Sequence, residues 1–203
     1  MFRPPFTSLV NYLGHLFLAE PTEDGRLGSL LGDFVKGPLD RRYGEPVMRA
    51  IALHRRIDSF TDAHPAVLVS KSRVTPARRR YAGIMVDVFY DHFLAKHWNE
   101  FHEQPLREFA AHVYEMLERR YDELPARLQQ MAPSMIRWDW LGSYAELASI
   151  YAALNRMGNR LKRENRLFNS ADELLENYPG LEADFRAFLP DAAAFTRERR
   201  ATP

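Results

Sequence analysis

Apolar residues recur along the chain at three- and four-residue intervals, the spacing of helices that each bury one face. No stretch repeats the strict apolar–polar alternation of strands. The predicted helices cover residues 8–19, 27–37, 46–62, 64–70, 76–98, 105–120 and 143–157, short helices across 121–142, and a final region from 170 that is interrupted at Pro179-Gly180 and Pro190. We therefore predict an all-α fold, a multi-helix bundle forming one domain over residues 1–203.

Local signals refine the helix ends. Thr75 followed by Pro76 is typical of a cap and first turn, and predicts that the long fifth helix begins there. Two sequences of the type Ser-x-x-Glu, residues 143–146 and 170–173, are predicted capping boxes that start the later helices. Gly37-Pro38 is expected to close the second helix.

Composition narrows the class of protein. The 203 residues and 46% apolar content suit one domain with a proper core. The 28 basic and 27 acidic residues give a net charge of +1. The protein as a whole therefore does not attract polyanions, and we predict no nucleic-acid partner. The chain has no cysteine, which excludes disulfides and thiolate catalysis and fits a reducing compartment. Residues 1–19 are too short and too polar to cross a bilayer, so we expect a cytoplasmic enzyme without membrane insertion.

The richest chemistry lies in the third predicted helix. His54 and Asp58 are four residues apart and share one face, while Asp62 lies along its edge. Arg55 and Arg56 point elsewhere and could meet an anionic group or another helix. This combination suits a divalent metal beside a phosphate, although such a pair can also be a surface hydrogen bond.

A second helix repeats the pattern in apolar surroundings. Asp87 and Asp91 are again four residues apart, and His92 follows the second carboxylate. Because the residues around them are apolar on nearly every side, this helix is predicted to be buried. Buried carboxylates without a cation or hydrogen-bond donors cost several kcal/mol each, so a positive group is expected beside them.

Two further polar residues lie within apolar helices nearer the amino terminus. His15 shares a face with Asn11 and is either a core histidine bonded to a carbonyl or a metal ligand. Asp33 lies among apolar residues of the second predicted helix, either as a carboxylate bonded to backbone N–H groups or reaching a shared metal. Lys36 follows one turn later and is a candidate for contact with an anion.

A basic segment precedes the long fifth helix. Between residues 71 and 80 the chain carries five cations and no acidic residue: Lys71, Arg73, Arg78, Arg79 and Arg80. Such a cluster is either a solvated face or a docking patch for an acidic partner.

Four sequence blocks in order resemble the acyl carrier protein phosphodiesterase family, also called acyl carrier protein hydrolases. The blocks are residues 11–16, 32–37, 54–58 with Thr61-Asp62, and 87–94. The resemblance covers the first half of the chain and continues more weakly to Arg160. That family is regarded as a distant relative of the HD-domain metal-dependent phosphohydrolases, which implies an HD-domain-like helical fold. The chain has no adjacent His-Asp dipeptide, so the ligands cannot be copied from that superfamily.

The resemblance implies a reaction and a cofactor. The reaction is hydrolysis of the phosphodiester that links 4'-phosphopantetheine to a serine of holo acyl carrier protein, by metal-activated water. Ligation rich in oxygen with one or two imidazoles suits Mn²⁺, with Mg²⁺ or another divalent metal also open.

The implied roles fall on residues of the four blocks. The expected metal ligands are Asp33, His54 and Asp91, with His15, Asp58 and Asp87 either ligating or orienting. Proton transfer is expected from His92 or from a remaining carboxylate such as Asp58. Phosphate oxygens are expected to be held by Lys36, Arg55 and Arg56. Arg56 is equally a candidate for bonding carboxylates of neighbouring helices.

The acidic carrier protein is expected to dock on the basic segment 71–80. Two other hypotheses stay open at this point. One is an HD-type phosphohydrolase of a nucleotide or another small phosphoester. The other is a noncatalytic helical adaptor that binds an acidic protein.

Overall fold

Helices account for most of the chain in the computed structural model, which describes residues 11–39, 42–160 and 165–201, with only the backbone of Arg160 and Ala201. None of these residues lies in a strand, which confirms the predicted all-α class. The α-helices of the described residues are α1 (Tyr12–Leu18), α2 (Glu23–Leu31), α3 (Glu45–Ala63), α4 (Pro65–Arg73), α5 (Ala82–Lys96), α6 (Trp98–Phe101), α7 (Leu106–Arg119), α8 (Ala126–Arg137), α9 (Trp140–Ser143), α10 (Leu147–Arg160), α11 (Asp172–Glu176) and α12 (Tyr178–Ala201).

The second helix is displaced from its predicted position. It begins four residues earlier, at Glu23, because the Thr22 side chain caps it by accepting a hydrogen bond from the Gly25 N–H at 3.0 Å. It also ends earlier, at Leu31, so that Asp33 lies in the turn after α2 rather than inside the helix. The predicted start of the first helix at Ser8 lies outside the described residues.

The predicted start of the fifth helix at Pro76 is wrong, and so are both capping boxes. Thr75 donates its N–H to Glu173 at 3.0 Å, and its hydroxyl donates to the same carboxylate. Because Glu173 binds Thr75, it does not cap α11, the helix to which it belongs. Helix α5 begins only at Ala82. The hydroxyl of Ser170 donates to the Leu167 carbonyl, and that of Ser143 donates to the Trp140 carbonyl.

Of the two predicted breaks in the final helical region, the first occurs close to its predicted place and the second does not occur. Helices α11 and α12 are separated at Asn177, two residues before Pro179. Pro179 lies in the first turn of α12, where the missing N–H has no helical partner to lose. The helix continues through Pro190. Phe188, Leu189 and Ala192 are buried on either side of that proline, so packing holds the helix together across it.

The core is built around α5, as its apolar pattern predicts. Met85, Val88, Phe89 and Phe93 of this helix are fully buried. Helices α1, α4, α10 and α12 pack against it. Helix α2 packs closely on α3 because Gly28 has no side chain. A Cβ on Gly28 would lie only 2.5 Å from the Ala50 Cβ. No helix in the described ranges combines the length and apolar character needed to cross a bilayer.

Candidate metal centre

Two histidines and two aspartates meet where α1, α3 and the turn after α2 converge. The His15 Nε2 lies 3.1 Å from Asp58 Oδ1, and the His54 Nε2 lies 3.4 Å from Asp58 Oδ2. Asp33 completes the group, with its Oδ1 3.5 Å from the His54 Nε2. The two imidazole rings are stacked, with centroids 3.8 Å apart and planes inclined by 20°. All four residues were predicted from the sequence as metal ligands or catalytic residues.

The arrangement of donor atoms is one that a metal ion can use. His15, His54 and Asp58 each offer one ligand atom, and these atoms lie within 4.8 Å of one another. Both histidines are buried, whereas the Asp58 side chain is 48% exposed. An ion at this position would therefore have protein ligands on one side and access to solvent on the other, as in catalytic metal sites.

Several buried polar atoms at this centre have no hydrogen bond among the described residues. They are the Nδ1 of His15 and both ring nitrogens of His54. Buried polar groups are nearly always paired, so two unsatisfied imidazoles beside carboxylates indicate a missing positive partner. The residues present thus fit a divalent cation.

The electrostatics of the centre support the same conclusion. Burial alone lowers the pKa of His54, but the nearby carboxylates of Asp33 and Asp58 raise it to about 9. Burial and the neighbouring His54 lower the pKa of His15. Burial opposes ionisation of Asp58, yet the two histidines hold the pKa of this carboxyl below its ordinary value. The carboxylates of Asp33 and Asp58 thus favour a positive charge beside them. A proton on His54 supplies that charge, and a bound metal ion would take the place of the proton.

A glycine makes room for His54 beside the turn that carries Asp33. Gly32 is the last residue before Asp33, and it has ordinary right-handed helical dihedrals. A Cβ on Gly32 would lie 2.3 Å from two ring atoms of His54. The Gly32-Asp33 pair therefore brings the backbone of α2 against the imidazole and places the carboxylate alongside it.

Asp91 has a different set of contacts. Its Oδ2 accepts from the Leu13 N–H at 3.1 Å, and its Oδ1 accepts from the Gly14 N–H at 2.8 Å. These are donors in the first turn of α1, which have no partner inside a helix. Burial raises the pKa of Asp91, and the two backbone bonds only partly offset that rise. Asp91 thus fixes α1, and with it His15, against α5.

A small cavity of about 20 Å³ lies beside His15, with apolar side chains and a few polar groups in its wall. Its lining includes Asn11, His15, Asp87 and Asp91, and its volume suffices for one water molecule. The Asn11 Oδ1 is buried there, and no described residue donates a hydrogen bond to it. Burial raises the pKa of Asp87 to about 7. The charge of Lys71 opposes this rise, and weaker repulsion from Asp58 and other carboxylates adds to it. The sequence prediction omitted Asn11, although its four-residue spacing from His15 was the available signal.

His92 is directed to other partners. Its Nδ1 lies 2.9 Å from the Tyr144 carbonyl oxygen, and its Nε2 lies 2.9 Å from the Tyr178 hydroxyl. Neither partner belongs to the His15, His54 and Asp58 group. His92 thus links α5 to the end of α9 through one ring nitrogen and to the start of α12 through the other.

The three residues predicted to bind phosphate have distinct environments. Arg55 donates to the Gly37 carbonyl at 2.9 Å and to the Val35 carbonyl at 2.8 Å, so it holds the turn that follows Asp33. Lys36 is exposed on that same turn. Arg56 is exposed, and among the described residues it makes no ion pair with a carboxylate of a neighbouring helix.

Most of the basic segment is neutralised by distant acidic residues. Lys71 lies 2.9 Å from Asp62, Arg73 lies 2.8 Å from Asp184, and Arg78 lies 3.3 Å from the buried Glu173. Arg79 donates to the Lys71 carbonyl. Thus at least three of the five cations in this segment hold parts of the fold together.

The fold and the site together define a class: an all-helical protein whose histidines and aspartates, drawn from several helices, form a candidate metal centre. Comparison with known proteins supplies the particular family. Residues 10–192 match the family described as acyl carrier protein phosphodiesterase. The chain therefore belongs to that family, and is a phosphodiesterase, as the sequence blocks predicted.

Individual relatives agree with this assignment. A protein named acyl carrier protein phosphodiesterase from Enterobacter sp. (strain 638) is 36% identical over 182 residues, covering 89% of this chain and 94% of the relative. Relatives of the same name from Photorhabdus laumondii and Yersinia pestis are 33% and 34% identical over 89% of this chain, and over 92% and 94% of their own lengths. No solved structure matches the chain.

Proposed function

We propose that this protein hydrolyses the phosphodiester between 4'-phosphopantetheine and the serine of holo acyl carrier protein, and that it uses a divalent metal ion to do so. The products are apo acyl carrier protein and 4'-phosphopantetheine. The observation that carries the proposal is the pair of buried, incompletely bonded imidazoles beside Asp33 and Asp58 in a chain of this family.

The metal would be held by His15, His54, Asp33 and Asp58. Asp87 remains predicted as a ligand or an orienting group, and Asp91 as a ligand. The contacts of Asp91 with α1 support an orienting role for it instead. Mixed oxygen and imidazole ligands suit Mn²⁺, with Mg²⁺ or another divalent ion as alternatives. When bound, the ion supplies an acidified water and positive charge beside the phosphoryl group.

Cationic side chains around the centre would bind and orient the diester. Lys36 and Arg56 are exposed near the open side and would donate to the nonbridging phosphate oxygens. Arg55 would act through the turn, because its bonds to the Val35 and Gly37 carbonyls keep Asp33 in place.

The serine oxygen needs a proton as it leaves. Asp58, which is half exposed, is our first candidate for moving protons at this edge of the site. The role predicted for His92 would require one of its two nitrogens to give up its tyrosine partner.

Two of the finer predictions remain proposals. The first is docking of the acidic carrier protein on a basic surface, which the sequence predicted at segment 71–80. In that segment Arg79 and Arg80 are the exposed cations without a carboxylate partner among the described residues, since Lys71, Arg73 and Arg78 are paired. The second is a cytoplasmic location, which rests on the absence of cysteine and on the nature of the substrate.

The test is to incubate the purified protein with holo acyl carrier protein and Mn²⁺, and to follow the intact mass of the carrier. We expect loss of the phosphopantetheine mass, abolished by EDTA and by Asp58→Ala. Asp62→Ala is the matched control, because it makes the same change one turn later on α3 and should retain activity. Folded, Mn²⁺-loaded protein that leaves the carrier intact but cleaves small phosphoesters would overturn the proposal in favour of a small-molecule phosphohydrolase.

A further inference from the structure

A groove of about 610 Å³ lies between α3 and α12 and combines arginines with aromatic rings. Its lining residues, here called the arginine groove, are Arg55, Arg56, Ser59, Phe60, Phe195 and Arg199. The rings of Phe60 and Phe195 are stacked, with centroids 4.4 Å apart and planes inclined by 17°. Arginine and aromatic residues are the types enriched at protein interfaces.

The positive charge of this groove is not neutralised by carboxylates in the described part of the chain. Arg55 donates to backbone carbonyls, and the Arg199 guanidinium lies over the Phe195 ring at 5.2 Å. Arg56 has no ion pair there. In the basic segment 71–80, by contrast, three cations pair with Asp62, Asp184 and Glu173. The arginine groove is therefore the better match for an acidic surface.

The groove also adjoins the candidate metal centre. Its α3 residues lie within three positions of Asp58, or about 4.5 Å along the helix axis at 1.5 Å per residue. Arg56 and Arg199 line a second cavity as well, of about 360 Å³, whose wall includes His54. A partner seated in the groove thus lies beside a cavity large enough for a flexible ligand arm.

We propose that the arginine groove is the docking surface for an acidic face of the carrier protein, with Arg199 as a specificity-determining contact. This inference rests on the proposed function, which makes the carrier protein the substrate. Docking there would present the phosphopantetheine arm to the 360 Å³ cavity and its phosphodiester to the metal centre.

The test compares steady-state hydrolysis of holo carrier protein by the wild type and by Arg199→Glu. We expect the KM of the variant for holo carrier protein to rise about tenfold, and kcat/KM for the carrier protein to fall by a larger factor than the hydrolysis of bis(p-nitrophenyl) phosphate. A tenfold change corresponds to about 1.4 kcal/mol, as expected for loss of an interfacial charge pair. Arg197→Glu is the matched control, since it makes the same charge change at an exposed position of α12 outside the groove.

A second variant separates the two candidate docking surfaces. The double variant Arg79→Glu/Arg80→Glu should change the KM less than twofold. The inference is overturned if this double variant raises the KM as much as Arg199→Glu does, or if Arg199→Glu stays within twofold of wild type.

A binding measurement keeps this inference distinct from the proposed function. Fluorescence anisotropy of labelled holo carrier protein, recorded in EDTA, should show about tenfold weaker binding by Arg199→Glu than by wild type. If wild type binds in this way but does not hydrolyse the carrier, the proposed function fails and the docking surface stands. If binding is the same for both proteins, the docking surface fails whatever the activity.

Discussion

Replacing Gly32 by alanine tests whether the close approach of α2 to His54 builds the metal centre. The new Cβ would lie 2.3 Å from two ring atoms of His54, more than 1 Å inside the ordinary contact distance of 3.4–4 Å. His54 cannot move away freely, because its ring is stacked on His15 at 3.8 Å. The substitution must therefore displace either the imidazole or the backbone.

The magnitude follows from two opposing effects. The helical dihedrals of Gly32 suit alanine, which alone would stabilise the fold by about 0.5–1 kcal/mol. Overpacking in a well-packed site costs about 1–3 kcal/mol, and here the obstacle is a buried ring rather than a flexible chain end. We expect a net loss of about 1–2 kcal/mol in the free energy of unfolding. We also expect at least tenfold weaker binding of Mn²⁺, because a ligand has moved.

The assays are urea unfolding of the metal-free protein and calorimetric titration with Mn²⁺. Gly83→Ala is the matched control: this residue lies in α5, and the nearest atom to its new Cβ is the flexible Lys71 Cε at 3.8 Å. That variant should gain about 0.5–1 kcal/mol and bind Mn²⁺ as wild type does. If Gly32→Ala matched Gly83→Ala in both assays, the assigned proximity of α2 and His54 would be refuted.

Three further predictions address other parts of the structure. Asp91→Ala leaves two buried N–H groups unpaired and should lower the free energy of unfolding by about 3–5 kcal/mol in urea, whereas a loss below 1 kcal/mol would contradict the assigned contacts. Glu173→Ala removes the buried partner of Thr75 and Arg78 and should cost about 3–5 kcal/mol, while the kcat of the folded fraction stays unchanged. Excess Mn²⁺ at about 100 times its Kd should stabilise the wild type by about 2.7 kcal/mol in thermal unfolding, an effect that His54→Ala should abolish.

The features that the sequence predicts depend on residues close together in the chain. The features that it does not predict depend on contacts between residues far apart in the chain. Four-residue spacing on one helix predicts that His54 and Asp58 share a face, and the structure places Asp58 beside both histidines. The acidic partners of segment 71–80, by contrast, are up to 111 positions away, and no local pattern reveals them. The same limit explains why Glu173, which looks like a capping residue, instead holds Thr75.

Arg199 illustrates another limit of sequence reasoning. Its basic neighbours at the end of the chain look like a solvated helix terminus, and only the packing of α12 against α3 places the guanidinium near His54. The sequence assigned Asp33, a predicted metal ligand, to a helix. The Thr22 cap moves α2 towards the amino terminus and leaves Asp33 in the turn.

The hydrogen bonds from α1 to Asp91 bear on the order in which the site is assembled. Helix α1 has only seven residues, too few to be stable alone in water. Its first turn is held by a carboxylate 77 positions further along the chain, so His15 takes up its place only after α5 has packed. We therefore expect the proposed ion-binding site to be absent from partly folded chains. A newly made protein would acquire its metal as one of the last events of folding.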